Sequence, residues 1–122
     1  MASVLVVDDN PDSCRVLMRF ISRFNGPADC VESGAEALKY IETHTTKLIF
    51  LDWMMPEMTG LDVLRALRAN SRFKDLPVVM FSALSDPSVQ QEALRAGAQA
   101  FIVKGQFDEA LATIKKYIGG SH

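Results

Sequence analysis

The sequence predicts a single α/β domain built as a doubly wound, open parallel sheet. Short apolar runs rich in β-branched residues alternate with longer stretches whose apolar residues recur at helical spacing, the pattern of strands joined by crossover helices. The strongest of the short runs have no polar interruption, as expected of strands covered on both faces. At 122 residues the chain can close one hydrophobic core but is too short for a second domain of ordinary size.

The first strand spans Val4 to Val7 and ends abruptly at Asp8 and Asp9. After Asn10 and Pro11, the residues Cys14, Leu17, Met18, Ile21 and Phe24 recur at steps of three and four, so a helix buries one stripe until Asn25, Gly26 and Pro27 stop it. A weaker strand, Ala28 to Val31, precedes Ser33 and Glu36 at capping-box spacing and a helix with Ala37, Leu38 and Ile41 facing inward. The third strand, Leu48 to Leu51, breaks at Asp52. A loop with Pro56 and Gly60 leads to a helix whose Leu61, Leu64 and Leu67 share a face. The fourth strand, Val78 to Phe81, ends at Ser82; Asp86 then reads as an N-cap, Pro87 as the first helical residue and Gly97 as a left-handed stop. The fifth strand, about Gln99 to Val103, ends at Lys104. Phe107, Leu111, Ile114 and Ile118 form the inner stripe of a last helix that Gly119 and Gly120 terminate. Residues 1–119 are therefore the domain and 120–122 a tail, with Ser121 and His122 reading as an expression remnant.

Composition narrows the function. A hydrophobic share of 48% beside 23% charged residues fits a globular protein and not a disordered or fibrous one. The net charge of −2, with acids and bases interleaved, offers no basic stripe to a phosphate backbone, so direct nucleic-acid binding is not expected. No apolar run approaches the roughly 20 residues of a membrane helix, and no basic-then-apolar leader opens the chain, so a cytoplasmic protein is expected. Cys14 and Cys30 lie in apolar patterns and read as small buried hydrophobes rather than as a disulfide. His44 and His122 fall in no ligand motif, so zinc is not expected.

Asp8, Asp9, Asp52, Ser82 and Lys104 all come directly after strand runs, which in a parallel sheet places them along one edge, where ligands of open α/β sheets bind. Each has a bland reading alone: a solvated turn or cap for the acidic pair, a cap for Ser82, a surface charge for Lys104. Their coincidence at one edge argues otherwise. Carboxylates sharing a crevice repel each other, and a cation relieves this; an all-oxygen set suits Mg²⁺. A carboxylate is also a nucleophile toward phosphorus if charge on the transferring group is neutralised, which a metal and Lys104 would do, with the Ser82 hydroxyl donating to a phosphoryl oxygen.

The joint pattern of VVDDN, LIFLDWMMPEMTG, VVMFSA and AFIVKG resembles the CheY-like receiver family of response regulators across essentially the whole chain. The resemblance implies a flavodoxin-like (βα)5 fold, a five-stranded parallel sheet of order 2-1-3-4-5. It implies that Asp52 is the phosphoacceptor, that Asp9 and Asp52 bind Mg²⁺ directly with Asp8 acting through water, and that the backbone carbonyl of Met54 completes the protein ligands. Lys104 and Ser82 would contact the phosphoryl group, and Phe101 would be the aromatic switch, although alone it reads more readily as core. A histidine kinase or phosphotransfer protein would be the donor. The face made by the fourth helix, fifth strand and fifth helix would meet a downstream protein or effector domain, in a monomer or a phosphorylation-dependent dimer. Four departures matter: Gly105 stands where proline is usual, Ser82 where threonine is also common, Phe101 lacks a hydroxyl, and the pair Met54 and Leu84 sets apolar side chains near the site, predicting slow self-dephosphorylation. Rival expectations are an unphosphorylated pseudo-receiver acting only in protein interaction and an aspartate-dependent phosphatase; the latter lacks a general acid and a cap over the substrate.

Overall fold

The computed structural model describes residues 4–23 and 28–119, with side chains through residue 117. Phe24, the Asn25 to Pro27 stop and the 120–122 tail lie outside the described residues, as does the Ile118 side chain. The strands β1 (Val4–Val7), β2 (Ala28–Val31), β3 (Leu48–Leu51), β4 (Val78–Ser82) and β5 (Ala100–Val103) form one parallel sheet of order β2-β1-β3-β4-β5. Between and after them run α1 (Pro11–Ser22), α2 (Gly34–Thr43), α3 (Gly60–Ala69), α4 (Pro87–Arg95) and α5 (Phe107–Ile114), the last continued by a π-helical turn, Lys115–Gly119.

Every residue of β1, β3 and β4 is buried, because each has a helix layer on both sides. The period of two along a strand divides the core. Val4, Val6, Leu48, Phe50, Val79 and Phe81 pack against Cys14, Leu17 and Ile21 of α1 and Ala110 and Ile114 of α5. Leu5, Val7, Ile49, Leu51, Val78 and Met80 pack against α2, α3 and Ala93 of α4. Each such fully buried side chain contributes about 1.5–3 kcal/mol.

The helix starts obey the expected chemistry. Asn10 caps α1 by accepting from Asp12 and Ser13 N–H, with Pro11 at the first position. Asp86 caps α4 by accepting from Ser88 N–H, and Pro87 comes next. Gly97 has φ +112°, the left-handed stop expected. At Ser33 the box is incomplete: its hydroxyl accepts from Glu36 N–H, while the Glu36 carboxylate takes the Ser33 hydroxyl instead of a backbone N–H. A complete box forms at Thr59 and Asp62, where aspartate takes the place of the commoner glutamate and so leaves a weaker mark in the sequence.

Three expectations are corrected. β5 begins at Ala100, because Gln99 commits both its backbone N–H and its side-chain oxygen to Val78. In α5 the small Ala110 turns to the sheet together with Ile114, which leaves Leu111 half-buried and Phe107 exposed against Phe20 of α1, ring centroids 5.0 Å apart. Cys14 and Cys30 are joined in a disulfide between α1 and β2, their Cα atoms 6.1 Å apart, inside the range a bridge needs.

Candidate functional site: an acidic pocket at the carboxyl edge of the sheet

β1 and β3 are neighbours in register, Val7 opposite Leu51, so the residues just beyond them emerge side by side. Asp8 and Asp52 are both buried, while Asp9 is exposed. Oxygen atoms of the three carboxylates lie within 4.8 Å of one another. Backbone bonds fix this arrangement. Asp8 N–H donates to Val31 O at 3.1 Å, Asp52 N–H to Val7 O at 2.9 Å, and Asn10 N–H to Asp8 Oδ1 at 2.9 Å.

Lys104 arrives from the far edge of the sheet. Its ammonium lies 2.7 Å from Asp8 Oδ2 and 3.3 Å from Asp52 Oδ2, and its backbone N–H donates to Ser82 O at 2.7 Å. Burial raises the Asp52 pKa, and the charge of Asp8 adds to this; Lys104 and the Met54 N–H pull it back only in part. For Lys104 burial acts downward, but the hydrogen bond to Asp8 and the attraction of both carboxylates outweigh it, so the ammonium is held above its ordinary value. The pocket thus retains uncompensated negative charge.

A cavity of about 670 Å³ opens at these groups, lined by the polar Asp9, Asp52 and Lys104 and by Trp53, Met54 and Leu84 among others. The Met54 side chain is 58% exposed, and its N–H reaches Asp52 Oδ1 at 3.4 Å. The loop after Asp52 closes on itself: Gly60 N–H donates to Trp53 O at 2.9 Å, and a Cβ on Gly60 would fall on the Asp52 carbonyl oxygen. Gly105, just after Lys104, has φ +103°, a conformation closed to proline.

Of the residues expected to converge, Asp8, Asp9, Asp52 and Lys104 meet directly. Ser82 sits at the same edge, fully buried, with its hydroxyl oxygen accepting from Leu84 N–H at 3.3 Å. Phe101 pairs in register with Met80 and packs, half-buried, on the α2, α3 and α4 side of the core, outside the pocket. Sequence reasoning gave no site role to Asn10, which holds Asp8, or to Thr59, which lines the cavity. The capping residue between an acidic pair and Pro11 was the available signal for Asn10.

The donor set fits a hard divalent cation: three clustered carboxylates, no nitrogen or sulfur ligand among them, and a burial-raised Asp52 whose repulsion from Asp8 a cation would relieve.

Comparison with known proteins points the same way. The family model described as "Response regulator receiver domain" matches residues 4–115. Chemotaxis protein CheY1 of Helicobacter pylori is 38% identical over 104 residues, covering 83% of each chain. The solved structure of Vibrio cholerae chemotaxis protein CheY4 superposes with a TM-score of 0.86 at 28% identity, covering 97% of this chain and 99% of that one. The response regulator TrrA of Thermotoga maritima, solved in complex with Mg²⁺-BeF, gives 0.83 at 32% identity, covering 95% and 98%.

Proposed function

Because the chain belongs to the response regulator receiver family, we propose that Asp52 accepts the phosphoryl group and that Asp8, Asp9 and Lys104 make its transfer feasible. The observation that supports this most directly is Lys104 Nζ in contact with both Asp8 and Asp52 inside a cluster of three carboxylates. Asp9 and Asp52, the Met54 carbonyl and, through water, Asp8 would hold Mg²⁺, which supplies charge neutralisation at the phosphoryl oxygens when bound.

An Asp52 carboxylate oxygen attacks phosphorus on a phosphohistidine of the donor. The O–P bond forms as the P–N bond breaks, and the leaving imidazole takes a proton from solvent. Lys104, held protonated by its two carboxylates, pairs with the charge on the new acyl phosphate. Phosphorylation adds roughly −1.5 to −2 charge units. The Ser82 hydroxyl, whose oxygen accepts from Leu84 N–H, then donates its O–H to a phosphoryl oxygen, the β4–α4 loop moves with it, and Phe101 turns by packing alone. The face of α4, β5 and α5 changes its preference for a downstream protein or effector domain; Leu94 of α4 is 49% exposed. A histidine kinase or phosphotransfer protein in the cytoplasm is the donor, residues 1–119 form the receiver unit, and dimerisation, where it occurs, depends on phosphorylation.

Trp53 reports on the pocket. Adding Mg²⁺ and then beryllofluoride or acetyl phosphate should change its emission in the native protein and leave Asp52→Asn unresponsive to the phosphoryl analogue. An unchanged Asp52→Asn response would reject Asp52 as acceptor. The apolar Met54 and Leu84 at the mouth should keep attacking water disordered, giving a phosphoryl half-life of minutes or longer. Met54→Asn should shorten it roughly tenfold by placing a polar group near that water, and a native half-life of seconds would overturn this part.

A further inference from the structure

The Cys14–Cys30 disulfide joins α1 to β2. Cys14 N–H donates to Asn10 O at 3.2 Å, and the backbone N–H of Asn10 is what holds Asp8 Oδ1. Cys30 immediately precedes Val31, whose carbonyl accepts from Asp8 N–H. The two cysteines therefore abut the two backbone groups that position Asp8, one on each side, and the bridge closes the ring. The link matters because β2 is weakly anchored: none of its four residues is buried, and among the described residues it lies at the sheet edge with β1 as its single strand neighbour.

We propose that this bridge is a redox-sensitive site that sets how firmly Asp8 is held and, through Asp8, how tightly the pocket binds Mg²⁺; the inference rests on the metal reading given above. The co-reactant is a dithiol. Its thiolate attacks Cys30 Sγ, since Cys30 is partly exposed while Cys14 is buried. The S–S bond breaks, and Cys14 leaves as a thiolate and takes a proton. The second thiol of the reductant then displaces Cys30 from the mixed disulfide, closing the reductant's own S–S bond and leaving Cys30 as a thiol. Two electrons and two protons pass to the cysteine pair. In a reducing compartment bridges of this kind are mostly transient and redox-sensing, so occupancy of the bridge would track the surrounding poise.

The test compares the full chain oxidised with glutathione disulfide and reduced with dithiothreitol. A chromogenic thiol reagent should find no free thiol in the first and both cysteines in the second. On reduction, backbone amide exchange at Asp8 and Asn10 should quicken, and the Mg²⁺ dissociation constant read from Trp53 emission should rise on the order of tenfold, the effect of loosening a group that positions a metal ligand. Cys30→Ser, altered on the more exposed side, should show the weaker value with or without dithiothreitol; if it does not fold, the two redox states of the native chain decide alone. Equal Mg²⁺ affinity and equal exchange in both states would overturn the proposal and leave the receiver reading intact. Free thiols in the oxidised protein would overturn it too. A chain that gives no Mg²⁺ response in either state would remove the metal reading and this inference with it.

Discussion

Asp52 ionises inside a pocket that partly resists its charge, and the consequence for stability has a definite sign. With its native pKa raised by burial and by Asp8, the metal-free protein keeps its full stability on this account below the unfolded value near 3.8 and loses some as pH rises through the native pKa. Asp52→Asn never ionises and escapes that loss. In metal-free buffer it should be more stable than the native protein near pH 7 by about 1 kcal/mol, roughly 4 °C in Tm, with the difference vanishing toward about pH 3. A thermal melt series against pH reads this directly, and a native protein more stable than Asp52→Asn at neutral pH would reverse the sign. The pocket residues were legible because a strand end in a parallel sheet is a position in space as well as in sequence. The disulfide was not legible. Whether Cys14 and Cys30 meet depends on the rotation of α1 over β2, which apolar spacing fixes only to a stripe.

Among elements, α4 is the least committed to the core, with Ala93 its one buried residue. The turn from α4 into β5 is held from outside the strand ladder: Arg68 of α3 donates from Nε and Nη2 to Gly97 O at 3.1 and 2.8 Å, from Nη1 to Phe73 O at 3.1 Å, and from Nη2 to Gln99 Oε1 at 3.2 Å. Burial lowers the Arg68 pKa, and the charge of Asp75 opposes that shift. Arg68→Met should destabilise the domain by about 2 kcal/mol, because the Gly97 and Phe73 carbonyls lose a charged donor in a partly buried place. It should also quicken amide exchange around Gly97. A urea midpoint equal to that of the native protein would show these bonds to be replaced by water at no cost. The sequence located α4 and its caps, since Asp86, Pro87 and Gly97 act locally. It misplaced the inner stripe of α5, where Ala110 displaces Phe107 for reasons of packing that only the assembled sheet supplies.

At the scale of the molecule, the acidic edge is a store of repulsion that ligand binding converts into stability. Mg²⁺ at 100 times its dissociation constant should stabilise the native fold by about 2.7 kcal/mol, provided the unfolded chain does not bind it. The gain should shrink in Asp52→Asn, and the absence of any Mg²⁺-dependent shift in the urea midpoint of the native protein would contradict the pocket's assignment. The strand order itself could not be read from spacing and came only with the resemblance; the order β2-β1-β3-β4-β5 then explains why Asp8 and Asp52 adjoin while Lys104 must reach across β4. The closed turn from Trp53 to Gly60 has a further consequence. Because its two ends are hydrogen-bonded and Gly60 abuts the Asp52 backbone, the segment works as a ruler of fixed length. Sequence change within it is free to alter side chains at the pocket mouth, whereas one inserted or deleted residue would shift the start of α3 away from the carboxylate it flanks.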